Sequence, residues 1–112
     1  MNKQDSAPLY CWTILYPHKE GASFDLETFS VLIHQYADVL GDNCVRYEVR
    51  KGLAAPSTGI PHYTCVVNVW IRSREMFRES MGDERMKELL PKFSAVTEIQ
   101  PLRQMEEVIS SD

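Results

Sequence analysis

The sequence predicts an α+β fold, a four-stranded antiparallel sheet with helices on one face, and three observations predict it. Two apolar runs, Leu9 to Tyr16 and Tyr63 to Ile71, carry non-polar residues at both odd and even positions. A third run, Cys44 to Lys51, alternates, with Val45, Tyr47 and Val49 set against Arg46, Glu48 and Arg50. Between and after these runs lie two regions of helical periodicity. Successive side chains of a strand point to opposite faces, so the alternating run suits a sheet edge and the doubly apolar runs suit central places covered on both sides. In 112 residues the two helical regions suffice for one face only, and the other face is expected to meet a second copy of the chain.

The first strand, Leu9 to Tyr16, sets Trp12 and Ile14 on one side and Cys11, Thr13 and Leu15 on the other. Pro17 to Ser23 reads as a surface loop ending at a helix start. Asp25 is the expected N-cap, Phe24 and Phe29 have the spacing of a hydrophobic staple, and Glu27 suits the positive end of the helix dipole. Leu26, Phe29, Leu32, Ile33, Tyr36 and Leu40 form the apolar stripe, and Gly41 with Asp42 stops the helix. After the alternating strand, Gly52 to Pro61 is rich in Gly, Pro, Ser and Ala and reads as a long hairpin loop into the run Tyr63 to Ile71. Ser73 is placed to cap a second helix carrying Met76, Phe77 and Met81. Gly82 and Asp83 interrupt it before Met86, Leu89, Leu90 and Phe93 resume the spacing, which predicts a broken or bent helix. A last strand is expected over Val96 to about Val108, with Pro101 at a bulge or edge. The order β-α-β-β-α-β is the ferredoxin-like split βαβ arrangement, whose strand order 4-1-3-2 puts the two doubly apolar strands in the centre.

Composition narrows the function. Apolar residues make up 44% and charged residues 25%, as in a globular protein, and a net charge of −4 gives no electrostatic footprint for nucleic acid or an acidic membrane. Met1 to Ala7 has no apolar signal core, and no stretch approaches the roughly 18 consecutive apolar residues of a spanning helix, so a cytoplasmic location is expected. Cys11, Cys44 and Cys65 are widely spaced and lie on expected strands, which fits reduced packing thiols better than a disulfide framework or a metal site. No Gly-rich phosphate loop, dinucleotide fingerprint, nucleophile elbow or haem-attachment pattern occurs, so neither cofactor nor metal is expected. The mixed charges from Arg72 to Glu88 read as a solvated helix face.

Particular strings then resemble a known family. Ile14-Leu15-Tyr16-Pro17, the loop into Phe24-Asp25, the segment Tyr47-Glu48-Val49-Arg50-Lys51-Gly52-Leu53-Ala54, the Pro-Gly-rich hairpin loop and Ile99-Gln100-Pro101 are similar to the EthD family, named for ethyl tert-butyl ether degradation. The resemblance spans nearly the whole chain and implies one domain over residues 8–109. It further implies a dimeric α/β-barrel, two sheets packed face to face with a pocket between each sheet and its helices. Two departures stand out. The place of the family's first-helix histidine is occupied by Ile33, with His34 beside it and no matching proline, and a strand-three position where family members often carry histidine is Asn68. An amide takes up no proton at neutral pH.

The site candidates follow from these residues. His34 is either a proton shuttle or ligand contact at a pocket mouth, or a half-exposed helix histidine off the core-facing stripe. Asn68, in a strand otherwise made of Val66, Val67, Val69 and Trp70, needs hydrogen-bond partners if buried. It shares a face with Trp70. With Tyr16 or Tyr36 the two make either an aromatic-walled pocket with polar anchors or a filled core in which the amide pairs with a helix-one tyrosine hydroxyl. Tyr36, on the helical stripe, is the preferred pocket donor. His34, Asn68 and Tyr36 are thus the catalytic candidates, and Trp70 and Tyr16 the ligand-binding ones. His18 and His62 either frame an entrance or are exposed turn residues.

Two functions fit this reading. The chain is either a cofactor-free homodimeric enzyme acting on a small organic compound in xenobiotic degradation, or a non-catalytic dimer that assists a partner oxygenase.

Overall fold

The computed structural model describes residues 7–112. Four strands, β1 (Tyr10–Pro17), β2 (Cys44–Lys51), β3 (Tyr63–Ile71) and β4 (Leu102–Glu107), form one sheet of order β2-β3-β1-β4. Every neighbouring pair is antiparallel. Helix α1 (Leu26–Leu40) follows β1, and β3 is followed by α2 (Arg74–Ser80) and α3 (Glu84–Leu89). This is the ferredoxin-like α+β arrangement, with the doubly apolar strands in the centre and the alternating strand at an edge. The expected break in the second helix is real: Ser73 caps α2 through the Met76 N–H and Asp83 caps α3 through the Arg85 N–H, so Gly82 separates two independently capped turns.

The sheet's two faces differ sharply. Cys65, Val67, Val69 and Ile71 of β3 are all 0% exposed and face the helices, joined by Ile14 and Tyr16 of β1. Helix α1 buries Phe29, Leu32, Ile33, Tyr36 and Leu40 onto this face. Asp25 caps it by accepting the Thr28 N–H at 3.1 Å, and the Phe24 and Phe29 rings meet edge to face with centroids 5.2 Å apart, as the staple spacing predicts. Gly41, at φ 62°, ends the helix in a conformation that favours glycine. The buried Asn43 then ties this end to the other half of the fold: its Oδ1 accepts the backbone N–H of Arg72 at 3.1 Å and Ser73 at 2.8 Å, and its Nδ2 donates to the Ser73 carbonyl at 3.0 Å. At the hairpin, Gly52 is required by close approach, since a Cβ there would lie 1.7 Å from the Tyr63 carbonyl oxygen.

Three expectations need correction. The last strand begins at Leu102, not Val96. Val96 to Ile99 instead braces the entry of α1: the Val96 carbonyl accepts the Asp25 N–H at 2.9 Å, Thr97 bridges Phe24, and the Thr97 hydroxyl donates to the Ser23 carbonyl at 2.8 Å. Pro101, with no N–H, separates that brace from the sheet ladder. Val45 does not alternate with its neighbours, because the β2–β3 register slips between Cys44 and Arg46 and leaves it exposed at a bulge.

The third correction concerns the face away from the helices, expected to be apolar. It carries Leu15, Val66, Trp70 and Leu102, but a polar ribbon crosses its middle. Arg46 and Arg50 both pair with Glu48, Arg50 donates to the Asn68 carbonyl oxygen, and the Asn68 amide donates to Thr13 Oγ1 at 2.9 Å. The Thr13 hydroxyl donates to Glu106 at 2.6 Å, and Gln104 donates to the same carboxylate at 2.8 Å. Among the described residues no helix is long and apolar enough to cross a membrane. All of Met1 to Ala7 except Ala7, on which the reading of a missing signal core rested, lies outside the described residues.

Candidate functional site

A cavity of about 380 Å³ lies between the helix-facing side of the sheet and the helices. Strand β1 supplies Trp12, Ile14 and Tyr16, α1 supplies Ile33 and Tyr36, and Phe93, Met81 and Leu90 close it from the second helical region. Period-two alternation aims three consecutive same-face residues of β1 into one space, and the i, i+3 spacing of Ile33 and Tyr36 aims both at it from above. The walls are aromatic: Trp12 and Phe77 have centroids 5.3 Å apart, Tyr16 and Phe29 meet at 5.3 Å, and Tyr36 and Phe93 at 6.2 Å. One cation, Arg103, reaches the cavity from β4, paired across the ladder with Ile14 and on the same face.

The polar groups that converge here are two phenols and this guanidinium. Burial pushes the Tyr16 hydroxyl up to about 12, and only partly is this offset by the positive charge of Arg103. Burial raises Tyr36 as well, against opposing contributions from the Trp12 side chain and Arg103. Both phenols therefore stay protonated at neutral pH. They can donate hydrogen bonds to a carbonyl or a developing oxyanion, but they cannot act as resting bases. The Cys65 thiol nearby is pushed up to about 11 by burial and is no thiolate.

The sequence candidates separate into three places. Tyr16 and Tyr36 meet in the cavity. Asn68 and Trp70 do share a face, but it is the open face of the sheet, so the expected pocket joining them to Tyr16 or Tyr36 does not form. Nor does the alternative amide–tyrosine pair, since the sheet itself stands between them. Asn68 is satisfied by Thr13 and Arg50, and Trp70 is stacked under the Arg46 guanidinium at 4.5 Å. His34 is on the outer surface with its side chain 64% exposed, its Nδ1 3.0 Å from the Tyr47 hydroxyl and its Nε2 3.8 Å from Asp38. The reason is the roughly 100° turn per helical residue: Ile33 occupies the cavity-facing place and its neighbour is carried away from it. His18 and His62 join through a 2.9 Å backbone hydrogen bond at the loop end of the sheet, and neither lines the cavity. The three cysteines are free, and among the described residues no cluster of His, Cys, Asp or Glu is arranged to hold a metal.

Sequence reasoning missed Arg103. The signal existed, because Arg103 and Met105 alternate in phase on β4, but a strand started at Val96 gives no anchored register from which to choose their face.

Comparison with solved structures places the fold among known proteins. An EthD-like protein from Ralstonia eutropha is 27% identical, covering 96% of this chain and 97% of that one at a TM-score of 0.85. A mutant of SnoaB, a cofactor-independent oxygenase from Streptomyces nogalater, is 8% identical over 95% of this chain and 97% of that one, with a TM-score of 0.66. An ethyl tert-butyl ether (EthD) family protein from Bacillus halodurans is 12% identical over 90% and 99%, with a TM-score of 0.63. No family model matches the chain, and no curated protein matches it significantly.

Proposed function

From the premise that this chain is an EthD-like protein, we propose that it is a cytoplasmic homodimer, one domain over residues 8–109, which binds and transforms a small organic compound without a cofactor. The compound belongs to the degradation of ethyl tert-butyl ether or a related xenobiotic. The observation that carries this reading is the cavity itself: about 380 Å³ of aromatic and aliphatic wall with a few convergent polar groups. That is the usual makeup of a small-molecule site, at the lower end of the roughly 300–1,000 Å³ such sites span. In it the substrate's carbon skeleton packs against Trp12, Ile14 and Phe93, while the Tyr36 and Tyr16 hydroxyls donate to an oxygen that gains charge during reaction. Among the structures compared, SnoaB is described as a cofactor-independent oxygenase, which supports cofactor-free chemistry on this fold.

The homodimer rests on the open sheet face. Leu15, Val66, Trp70 and Leu102 leave apolar surface there, and the ribbon across it ends in Arg46 and Arg50 on the β2 edge and Glu106 on the β4 edge. A two-fold axis lying between the two faces and running along the strands sets each basic edge against the partner's acidic edge. Asn68 and Trp70 belong to this interface in the proposal, and His34 to the outer surface.

A second reading is favoured by one observation. The cavity's lining residues include no histidine or carboxylate, so no base stands ready at neutral pH. In that reading the dimer holds an intermediate for a partner oxygenase. Incubating the protein with a panel of small carbonyl and aromatic compounds, with binding read by calorimetry and turnover by mass spectrometry, separates the two. Turnover that falls roughly 10²–10³-fold in Tyr36→Phe supports the enzyme, as expected for loss of one oxyanion donor. Binding without turnover supports the auxiliary role, and absence of binding overturns both.

A further inference from the structure

Resting on the cavity reading above, we propose that the site selects an organic anion, a compound with an aromatic or alicyclic body and one carboxylate or other negatively charged oxygen, and that Arg103 is its specificity-determining residue. Three observations converge. The Arg103 side chain lines both the cavity and the adjoining groove formed by Tyr16, Phe93, Glu98 and Pro101, so it stands at the junction of the two, at the mouth. Among the described residues it has no salt-bridge partner and no side-chain hydrogen bond, although Glu98 lines the same groove. Its charge is felt at both buried hydroxyls, Tyr16 and Tyr36, which fixes the guanidinium near the cavity's two other polar groups.

The other cations near a depression of this molecule are tied to partners or, like Arg78 and Lys92, line grooves that also hold a carboxylate. Arg46 and Arg50 are tied to Glu48, Arg85 to Asp83, and Arg74 lies over the Tyr10 ring at 4.9 Å. Arg103 alone among these combines a free guanidinium with an apolar cavity and two donors. A guanidinium binds a carboxylate as a planar two-toothed donor, and the partly dry mouth of an apolar cavity strengthens that attraction relative to open solvent. The phenols complete the set, since protonated hydroxyls donate to an anion and do not repel it. The ligand's apolar body then fills the space between Trp12, Ile33 and Phe93.

The experiment compares two probes of nearly equal shape, 2-naphthoate and its neutral amide 2-naphthamide, by calorimetric titration of the full chain. The wild-type protein is expected to bind the acid roughly tenfold or more tightly than the amide, the size of one hydrogen bond to a charged group. Arg103→Gln is expected to erase that preference by weakening acid binding more than amide binding, and Arg103→Lys to keep part of it. Arg103 is exposed on an edge strand, so neither substitution disturbs the core. Equal binding of acid and amide by the wild type overturns the inference and leaves the cavity reading standing. So does a preference that survives Arg103→Gln, which places the anion elsewhere, for instance against Arg72 and Arg78. If neither probe binds, the cavity reading falls and the inference falls with it.

Discussion

Tyr16 shows how one residue links packing to chemistry. Its ring closes the cavity floor against Phe24 at 4.9 Å and Phe29, and the same burial that fills the core keeps its hydroxyl protonated. The shift has a consequence for stability. An unfolded tyrosine loses its proton near pH 10, whereas Tyr16 in the fold holds it to about 12. Between these values the folded state binds the extra proton, so stability is full below about pH 10 and falls as pH rises toward 12. Urea midpoints measured between about pH 9 and 12 should therefore fall less steeply in Tyr16→Phe than in the wild type. Parallel slopes would show that Tyr16 is not the group responsible.

At the scale of elements, the junction where α1 ends and α2 begins depends on one amide. Asn43 satisfies two backbone N–H groups and one carbonyl across a sequence gap of some thirty residues, so it fixes the helix α1 terminus against the exit of β3. Asn43→Ala leaves the Ser73 N–H without its partner, whereas the Arg72 N–H keeps the Asn43 backbone carbonyl at 3.0 Å and the Ser73 carbonyl keeps the Phe77 N–H at 3.1 Å. Loss of one buried partner of this kind typically costs about 1–3 kcal/mol, and the expected result is a lower denaturation midpoint with an unchanged fold by circular dichroism. A midpoint within error of wild type would mean that water replaces the amide fully. Broken α2–α3 has a different logic. Each half is too short to persist alone, and Phe77, Met86 and Leu89 hold the pair in place by burial in the core shared with α1.

For the whole molecule, the two sheet faces predict opposite results from neighbouring substitutions. Val67 is fully buried beneath the helices, and Val66 lies half-buried on the open face. Val67→Asp places an unpaired charge in the core and should unfold the protein at room temperature, by loss of several kcal/mol. Val66→Asp should leave the circular dichroism spectrum intact and convert a dimer to a monomer in light scattering at micromolar concentration. A wild-type protein that scatters as a monomer would remove the basis for the two-fold apposition of β2 and β4 edges.

Much of this architecture was readable in the sequence, because periodicity and caps are local. The bounds of β2 and β3, the Asp25 cap, the Phe24–Phe29 staple, the Gly41 stop and the break near Gly82 all follow from residues a few positions apart. The doubly apolar strands also placed β1 and β3 at the centre of the sheet. What only the tertiary structure decided is which face of each strand meets the helices, since a strand apolar on both sides carries no mark of inside and outside. That choice sends Asn68 and Trp70 to the open face and Tyr16 to the cavity. It also brings Arg103 to Tyr36, residues far apart in the chain that no local pattern relates, because their meeting depends on the register of an edge strand against β1.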